Sequence, residues 1–384
     1  MFKLPKFIEP DFTAGPFAGS PDAMTEKAGK GFLPHNFYAT TIFPEYFKIN
    51  GKWVMVEQSR MDCAVVIREG KPYAIEMRNV REGEDVVVGR IDDGTAGVYV
   101  HADAFEFASD DGVPDGGAFL FRSGKSRETS YSRDYDQMYE VLRHDREKGH
   151  IVWVLGPACV FDHDSRQAME RLIDNGFCHA LLAGNALATH DMEVSLFNTG
   201  LGQDIYTKKH MANGHYNHLH TINLVREAGS IAGFIKNNNV RQGVMAALVR
   251  NEVPFVLAGS IRDDGPMPDV TGDVYQAQGL MREHIKNATT VIALATQLHT
   301  LATGNMTPSY QVVNGIVRPV FFYVVDISEF AVNKLRDRGS LSAVGFVTNI
   351  QDFLVNLERN LMKDICILNN SSLSGGCNAL FLTG

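Results

Sequence analysis

The 384-residue chain has no Cys-x-x-Cys pair, and its cysteines (Cys63, Cys159, Cys178, Cys366 and Cys377) are five, an odd number. A disulfide frame and a zinc knuckle are therefore not expected, and reduced thiols are. No apolar run reaches about 18 residues, so no membrane span is expected. The N-terminal MFKLPKFIEPDF lacks the apolar core of a signal peptide, which makes the cytoplasm the default location. Positive charge is scarce as well: 36 Lys and Arg face 45 Asp and Glu, a formal net charge of −9. A nucleic-acid partner requires a clustered basic face, and none is visible. Neither H-E-x-x-H nor a strand-following G-x-G-x-x-G occurs, so the shortest signatures of zinc hydrolysis and dinucleotide binding are missing.

What remains is an ordinary globular composition, 45% hydrophobic and 21% charged, long enough for two domains. Residues 1–35 are rich in Gly and Pro and read as an extended arm. Residues 36–125 hold short Val-rich runs (KWVMVEQ, CAVVIREG, PYAIEM, EDVVVGRID, AGVYVHA) separated by turn residues, the pattern of a small β-rich domain. From residue 126 the texture changes. DYDQMYEVLRHDREKG has helical spacing, with Met138, Val141 and Leu142 on one side and Gly149 as a stop. Six apolar runs follow, most of them separated by helical segments: 151–155, 179–183, 253–258, 290–295, 320–325 and 344–348. Such strands imply a parallel sheet covered on both faces, so the expected fold class is α/β, doubly wound and Rossmann-like, over 126–363. The tail 364–384 carries no readable motif.

Each run ends in polar or small residues. They are Gly156-Pro157-Ala158, Gly184-Asn185-Ala186, the stretch AGSIRDDGPMPDV from Ala258 to Val270, Thr296-Gln297-Leu298-His299, Asp326-Ile327-Ser328 and Asn349. Any one such turn is explained by capping and backbone conformation. Six of them, with Arg262-Asp263-Asp264 among them, point to a ligand at the carboxyl edge of the sheet. Gly156 and Gly184 allow close backbone approach, the helix N-termini beyond them favour phosphate, and Asp326 is the kind of acid that holds a ribose. A dinucleotide fits this pattern, as does another phosphate ligand.

GHYNHLHTINLVREAG places His215, His218 and His220 within six residues. With Asn217 as the N-cap, His218 and His220 diverge by roughly 200° around a helix and cannot share an ion, so no metal is expected there. A proton carrier or substrate contact, or a structural role, stays open. Asp191 lies on a partly apolar helix face, either capping or turned into the pocket. Cys159 needs a positioned His to act as a nucleophile, and otherwise is a small buried residue.

Five stretches together (LLAGNALATHDMEVSLFNTGLG, GHYNHLHTINLVREAGSI, VPFVLAGSIRDDGPMPDV, ATQLHTLATGN and VVDISEFAVNKLRDRGS) resemble the archaeal-type alternative ornithine cyclodeaminase family, also called the LOR/SDH conserved region. ATTIFPEYFKINGKWVMVEQSRMDCAVVI is similar to that family's first domain, and the resemblance spans roughly residues 36–360. It implies a Rossmann-like domain of the deoxyhypusine-synthase kind that binds NAD. By motif, the cofactor contacts carried over are Asn185, Ala186, Asp264, Thr296, Gln297, Leu298, His299, Asp326 and Asn349, where relatives often have Asp at the last. Gly156 and Gly184 join them from the strand-end reading. The implied reaction turns L-ornithine into L-proline and ammonia. The alpha carbon gives up a hydride, the side-chain amine attacks the resulting imine, ammonia leaves, and the cyclic imine takes the hydride back. Arg262 is assigned to the substrate carboxylate, Asp263 or Asp191 to the distal ammonium, and His218 or His220 to proton movement. The segment Gly304–Arg318, longer than in compact relatives, reads as a hairpin near the site mouth. The β domain is a candidate cap and a candidate source of subunit contacts in a homo-oligomer. No arginine-cleaving domain precedes the match, so arginine dihydrolase activity is not expected. The other readings are a saccharopine-type dehydrogenase, a non-catalytic NAD sensor and a metal hydrolase built on the histidines.

Overall fold

The structure, a computed structural model, describes residues 3–106, 132–200, 202–263, 265–336 and 342–373. The strands of the N-terminal region pair antiparallel. Its strands are β1 (Lys6–Phe7), β2 (Thr25–Lys27), β3 (Glu45–Ile49), β4 (Lys52–Met55), β5 (Ala64–Arg68), β6 (Lys71–Ile75), β7 (Asp85–Val87), β8 (Val98–Val100) and β9 (Phe105–Glu106). They form sheets of order β2-β7-β5-β6 and β4-β3-β8, with β1 on β9. Two-residue turns with positive φ set the hairpins: Asn50 and Gly51 (52° and 77°) between β3 and β4, and Glu69 and Gly70 (51° and 73°) between β5 and β6. Their twist matches that of the flanking strands. The expected arm is part of this region. It supplies β2, and Phe12 stacks on Trp53 at 4.9 Å while Phe17 packs edge-on against Tyr99.

Glu45 lies fully buried on β3, accepting hydrogen bonds at Oε1 from Tyr38 Oη (2.8 Å) and Thr41 N (2.7 Å). Its Oε2 has no partner. Burial pushes its carboxyl up to about 7, against those hydrogen bonds. A folded-state pKa above the unfolded one contributes stability that is complete below the unfolded value, near 4.5, and is lost as pH rises through about 7. Glu45→Gln keeps the acceptor and removes the ionisation. It is expected to raise stability near pH 8 by up to about 3 kcal/mol and to change little near pH 4, which thermal unfolding at the two pH values will read.

The second region alternates helix and strand. Its elements are α1 (Ser132–Lys148), β10 (Ile151–Leu155), α2 (His163–Asp174), β11 (Ala180–Gly184), α3 (Asn185–Phe197), the hairpin β12 (Thr199–Gly200) and β13 (Gln203–Asp204), α4 (Gly214–Ala228), α5 (Ile231–Asn237), α6 (Val244–Arg250), β14 (Phe255–Ala258) and β15 (Val270–Thr271). Then come α7 (Val274–Ile285), β16 (Thr290–Leu294), α8 (Gln297–Met306), the hairpin β17 (Tyr310–Val313) and β18 (Ile316–Pro319), β19 (Phe321–Asp326), α9 (Glu329–Arg336), β20 (Ser342–Val347) and α10 (Ile350–Leu373). All six apolar runs are strands of one parallel sheet, ordered β15-β14-β11-β10-β16-β19-β20. The seventh strand, the two-residue edge β15, has no signal of its own in the sequence. Strand alternation builds two cores. Ile151, Trp153 and Leu155 face one with α1 to α6 and α10, and Val152 and Val154 face the other with Met281, Met306 and Val332 of α7 to α9. Met138, Val141 and Leu142 are buried in the first, as the α1 periodicity predicts. α10 runs on through Leu373, into the stretch that reads as a tail from sequence. No described helix is long and apolar enough to cross a membrane.

The Gly304–Arg318 expectation is half corrected. A hairpin forms, through Asn314 and Gly315 with positive φ, but it sits at the amino ends of the strands. Arg318, 1% exposed, makes a bidentate pair with Asp145 (2.6 and 3.0 Å), which also accepts from Thr289 and Thr290 at the start of β16. The N-terminal region docks at this same end. Tyr310 Oη donates to Val56 O (3.0 Å), and Arg282 donates to Met306 O (2.7 Å) and Gln58 O (2.8 Å). A polar cleft of about 540 Å³ lies there, between β6 and α7. Within one chain, then, the β region does not cap the carboxyl edge of the sheet.

Candidate functional site

Counting β10 as the first strand, the sheet order is 3-2-1-4-5-6 with β15 added at the edge. Connections reverse direction between β10 and β16, and ligands of doubly wound sheets bind outside the carboxyl ends at that switch. There Gly156 N donates to Leu294 O (2.8 Å), and a Cβ on Gly156 would stand 2.0 Å from Ala295 O. Only glycine fits. Ala295 itself has φ +50°, a conformation that costs a side-chain-bearing residue about 1–2 kcal/mol. Such strain is characteristic of ligand sites.

Next door, Gly184 ends β11, where a Cβ would meet His299 Cε1 at 2.9 Å. His299 Nδ1 lies 3.1 Å from Thr296 Oγ1. Burial pushes the His299 imidazole below its ordinary pKa, and the Asp263 carboxylate pulls it partly back, so the ring is neutral at neutral pH. Asn185 starts α3, buried, and its Oδ1 accepts from Met267 N (3.2 Å), which draws the loop after β14 over the helix start. In that loop Asp263 Oδ2 accepts from Ser260 N (2.8 Å), and Arg262 is exposed. Ala186 is half-buried, while Gln297 and Leu298 are exposed. Asp326, half-exposed at the tip of β19, accepts from Ser328 N (2.8 Å). The structure thus gathers Gly156, Gly184, Asn185, Thr296, His299, Asp263 and Arg262 along one edge. Asp264 lies outside the described residues.

Asn349 Oδ1 caps α10, accepting from Gln351 N (2.8 Å) and Asp352 N (3.2 Å), two strands from the switch point, so that oxygen is already engaged at the helix start. One assignment requires correction. Asp191 is 1% exposed. Its Oδ1 takes hydrogen bonds from Arg166 Nε (2.7 Å) and Val244 N (3.0 Å), and its Oδ2 from Met245 N (2.8 Å). Of the two readings open for it, capping is correct. It caps α6 from a distance and offers nothing to a substrate ammonium.

α4 begins at Gly214, one turn earlier than an Asn217 cap implies, and Asn217 instead donates to Thr199 Oγ1 (3.2 Å). His218 and His220 do diverge. The ring of His220 stacks on Tyr216 at 5.2 Å and lies near Phe197. His218 Nδ1 faces Glu193 Oε2 at 3.4 Å, and the same oxygen is 3.1 Å from His190 Nδ1. His190 and Glu193 escape a reading of the sequence by motif, although their spacing of three on a helix is a signal that they share a face. Cys159 is buried, and burial pushes its thiol up to about 12, so it is no nucleophile at neutral pH.

A doubly wound sheet with tight glycine contacts at its switch point defines a Rossmann-type ligand-binding protein. Residues 136–357 match the family described as arginine dihydrolase ArgZ-like, C-terminal, Rossmann fold, and residues 44–109 match its first region. The chain belongs to this ArgZ-like C-terminal family. It is 40% identical over 340 residues to an ornithine cyclodeaminase of Methanocaldococcus jannaschii, covering 86% of this chain and 75% of the relative. A conserved LOR/SDH protein of Methanococcus maripaludis has a crystal structure that superposes with a TM-score of 0.79 at 33% identity, over 90% of this chain and 99% of that one. The ternary complex of AgrE with ornithine and NAD+ superposes with a TM-score of 0.56 at 33% identity, and this chain spans 47% of its length.

Proposed function

We propose that the protein is an ornithine cyclodeaminase, converting L-ornithine to L-proline and ammonia with NAD as catalytic carrier. The observation that carries this reading is the strained, glycine-tight switch-point edge in a chain 40% identical to an archaeal ornithine cyclodeaminase. The residues present fit a dinucleotide. Gly156 and Gly184 let β10 and β11 end in tight contact with Ala295 and His299, the N-terminus of α3 faces the same edge, and Asp326 is at hand for ribose hydroxyls. When bound, NAD supplies reversible hydride acceptance at the substrate's alpha carbon.

The chain's own residues do the rest. Arg262 holds the alpha carboxylate. Asp263, fixed by Ser260 N, faces the distal ammonium and, with Asp191 engaged elsewhere, is the remaining acid for that task. Neutral His299 borders the cofactor without adding charge. Proton traffic falls to His218 and its carboxylate partner, since the ring of His220 is turned to Tyr216. Ile261 and Ile327 on the strand-end loops and Leu298 in the first turn of α8 stand exposed, so we assign a second copy of the chain, in the cytoplasm, to cover this edge.

The purified protein with L-ornithine and catalytic NAD+ is expected to release proline and ammonia in equal amounts with no net NADH. Net NADH would instead identify a saccharopine-type dehydrogenase. Bound NAD without turnover of ornithine or other diamino acids would identify a sensor.

A further inference from the structure

We propose that His190, Glu193 and His218 form a binding site for one divalent transition-metal cation of the zinc class. The three donor groups converge from two elements. His190 and Glu193 are three residues apart on α3, and His218 comes from the packed neighbour α4. His190 and Glu193 share a helix face at i,i+3 and project toward a second helix, as carboxylate and imidazole ligands do in helical metal sites, here in the order His-x-x-Glu. Glu193 Oε2 is 3.1 Å from His190 Nδ1 and 3.4 Å from His218 Nδ1, and all three donor atoms lie within 4.8 Å of one another. Ligands about 2.0–2.1 Å from a tetrahedral ion are about 3.3 Å apart, so two separations already fit. The third, between the two imidazoles, is no more than 4.8 Å, and His218 is the most exposed of the three ligands.

Charge leads to the same conclusion. Glu193 is completely buried. Its hydrogen-bond and ion-pair partners among the described residues include neither Lys nor Arg. A buried carboxylate needs a compensating positive charge, and a cation between the three donors supplies it.

The surroundings resemble those of a metal site as well. Thr199 Oγ1 donates to Glu193 Oε1 (3.0 Å) and accepts from Asn217, fixing the carboxylate from behind. The Phe161 ring, 4.8 Å from His190, walls one side. His218, with a side chain 32% exposed, leaves the opposite side open. Two His and one Glu with an open fourth position are the ligand set of zinc sites that exchange water. With the ion in place, His218 is a ligand, and a water on the open position takes over the proton-carrying place assigned to the ring above.

The test needs no substrate. The full-length protein is stripped with chelator, dialysed and titrated with Zn2+ and then Co2+, with metal content read by mass spectrometry and Co2+ coordination by its visible absorption. One ion per chain is expected, with at least a tenfold loss of affinity in Glu193→Gln and in His218→Asn and none in His215→Asn, which controls for surface histidines. Because Glu193→Gln alters a buried group, the half-exposed His218→Asn decides the outcome if Glu193→Gln fails to fold. Equal affinity in wild type and His218→Asn, or no binding at all, overturns the site and leaves the three residues as a hydrogen-bonded network. Binding without ornithine turnover would uphold the site and sink the functional reading; turnover without binding would do the reverse.

Discussion

Asp191→Ala is expected to lower folding stability by about 3–5 kcal/mol, the range for removing one partner of a buried ion pair. The substitution strands Arg166, 4% exposed, whose guanidinium is held by the Asp191 side chain and carbonyl, by Ser195 and by Gln242 O. It also leaves Val244 N and Met245 N, the first donors of α6, without an acceptor. Gly243, at φ +111°, passes so close that a Cβ there would meet Arg166 Nη2 at 2.0 Å and Asp191 Oδ1 at 2.8 Å. Asp191→Asn retains an acceptor oxygen but loses the charge, and falls between wild type and the alanine variant. Urea unfolding measures the loss. A stable, fully folded Asp191→Ala enzyme with a raised KM for ornithine would restore the substrate role that the geometry removes.

The different fates of the assigned residues show which physics reaches the sequence. Near-continuous Val, Ile and Leu runs are unambiguous because a strand of a covered parallel sheet is buried on both faces, and all six are strands. The polar strand ends follow, because the fold places every carboxyl end on one edge. The N-terminal arm looks detached in the sequence because Gly and Pro density marks turns, while the aromatic contacts of Phe12 and Phe17 with Trp53 and Tyr99 are long-range. Distance also hides the roles of single carboxylates. Asp191 meets Arg166 from 25 residues away and Asp145 meets Arg318 from 173 away, so periodicity gives the face each occupies but no partner. The hairpin at 310–319 is written in Asn314-Gly315, but its place at the amino ends depends on long-range contacts such as those of Arg318 and Tyr310. The His190–Glu193–His218 cluster is half legible, as a helical i,i+3 pair, and half a matter of how α3 packs on α4.

Arg262→Ala carries the largest expected effect on catalysis, a fall in kcat/KM of roughly two to three orders of magnitude with folding unchanged. The structural side follows from position. Arg262 is exposed in the loop after β14, and the backbone of that turn is fixed by other groups, Asp263 Oδ2 on Ser260 N and Ser260 Oγ on Arg262 N. Truncating such a side chain shifts stability by no more than about 0.5 kcal/mol. The catalytic side follows from chemistry. A carboxylate–guanidinium pair that bound substrate buries loses about 2–5 kcal/mol when the cation goes, and each 1.4 kcal/mol is a factor of ten. The loop is also the one that Asn185 pins to the switch point through Met267, so the guanidinium hangs from a fixed support. Steady-state kinetics then separates two modes of action. A raised KM at constant kcat means Arg262 only anchors the ground state, and a fall in kcat means it aims the alpha carbon at the cofactor. Arg262→Lys, which keeps the charge without the planar fork, should recover KM better than kcat if aim is what matters. Unchanged turnover in Arg262→Ala would remove the residue from the site altogether.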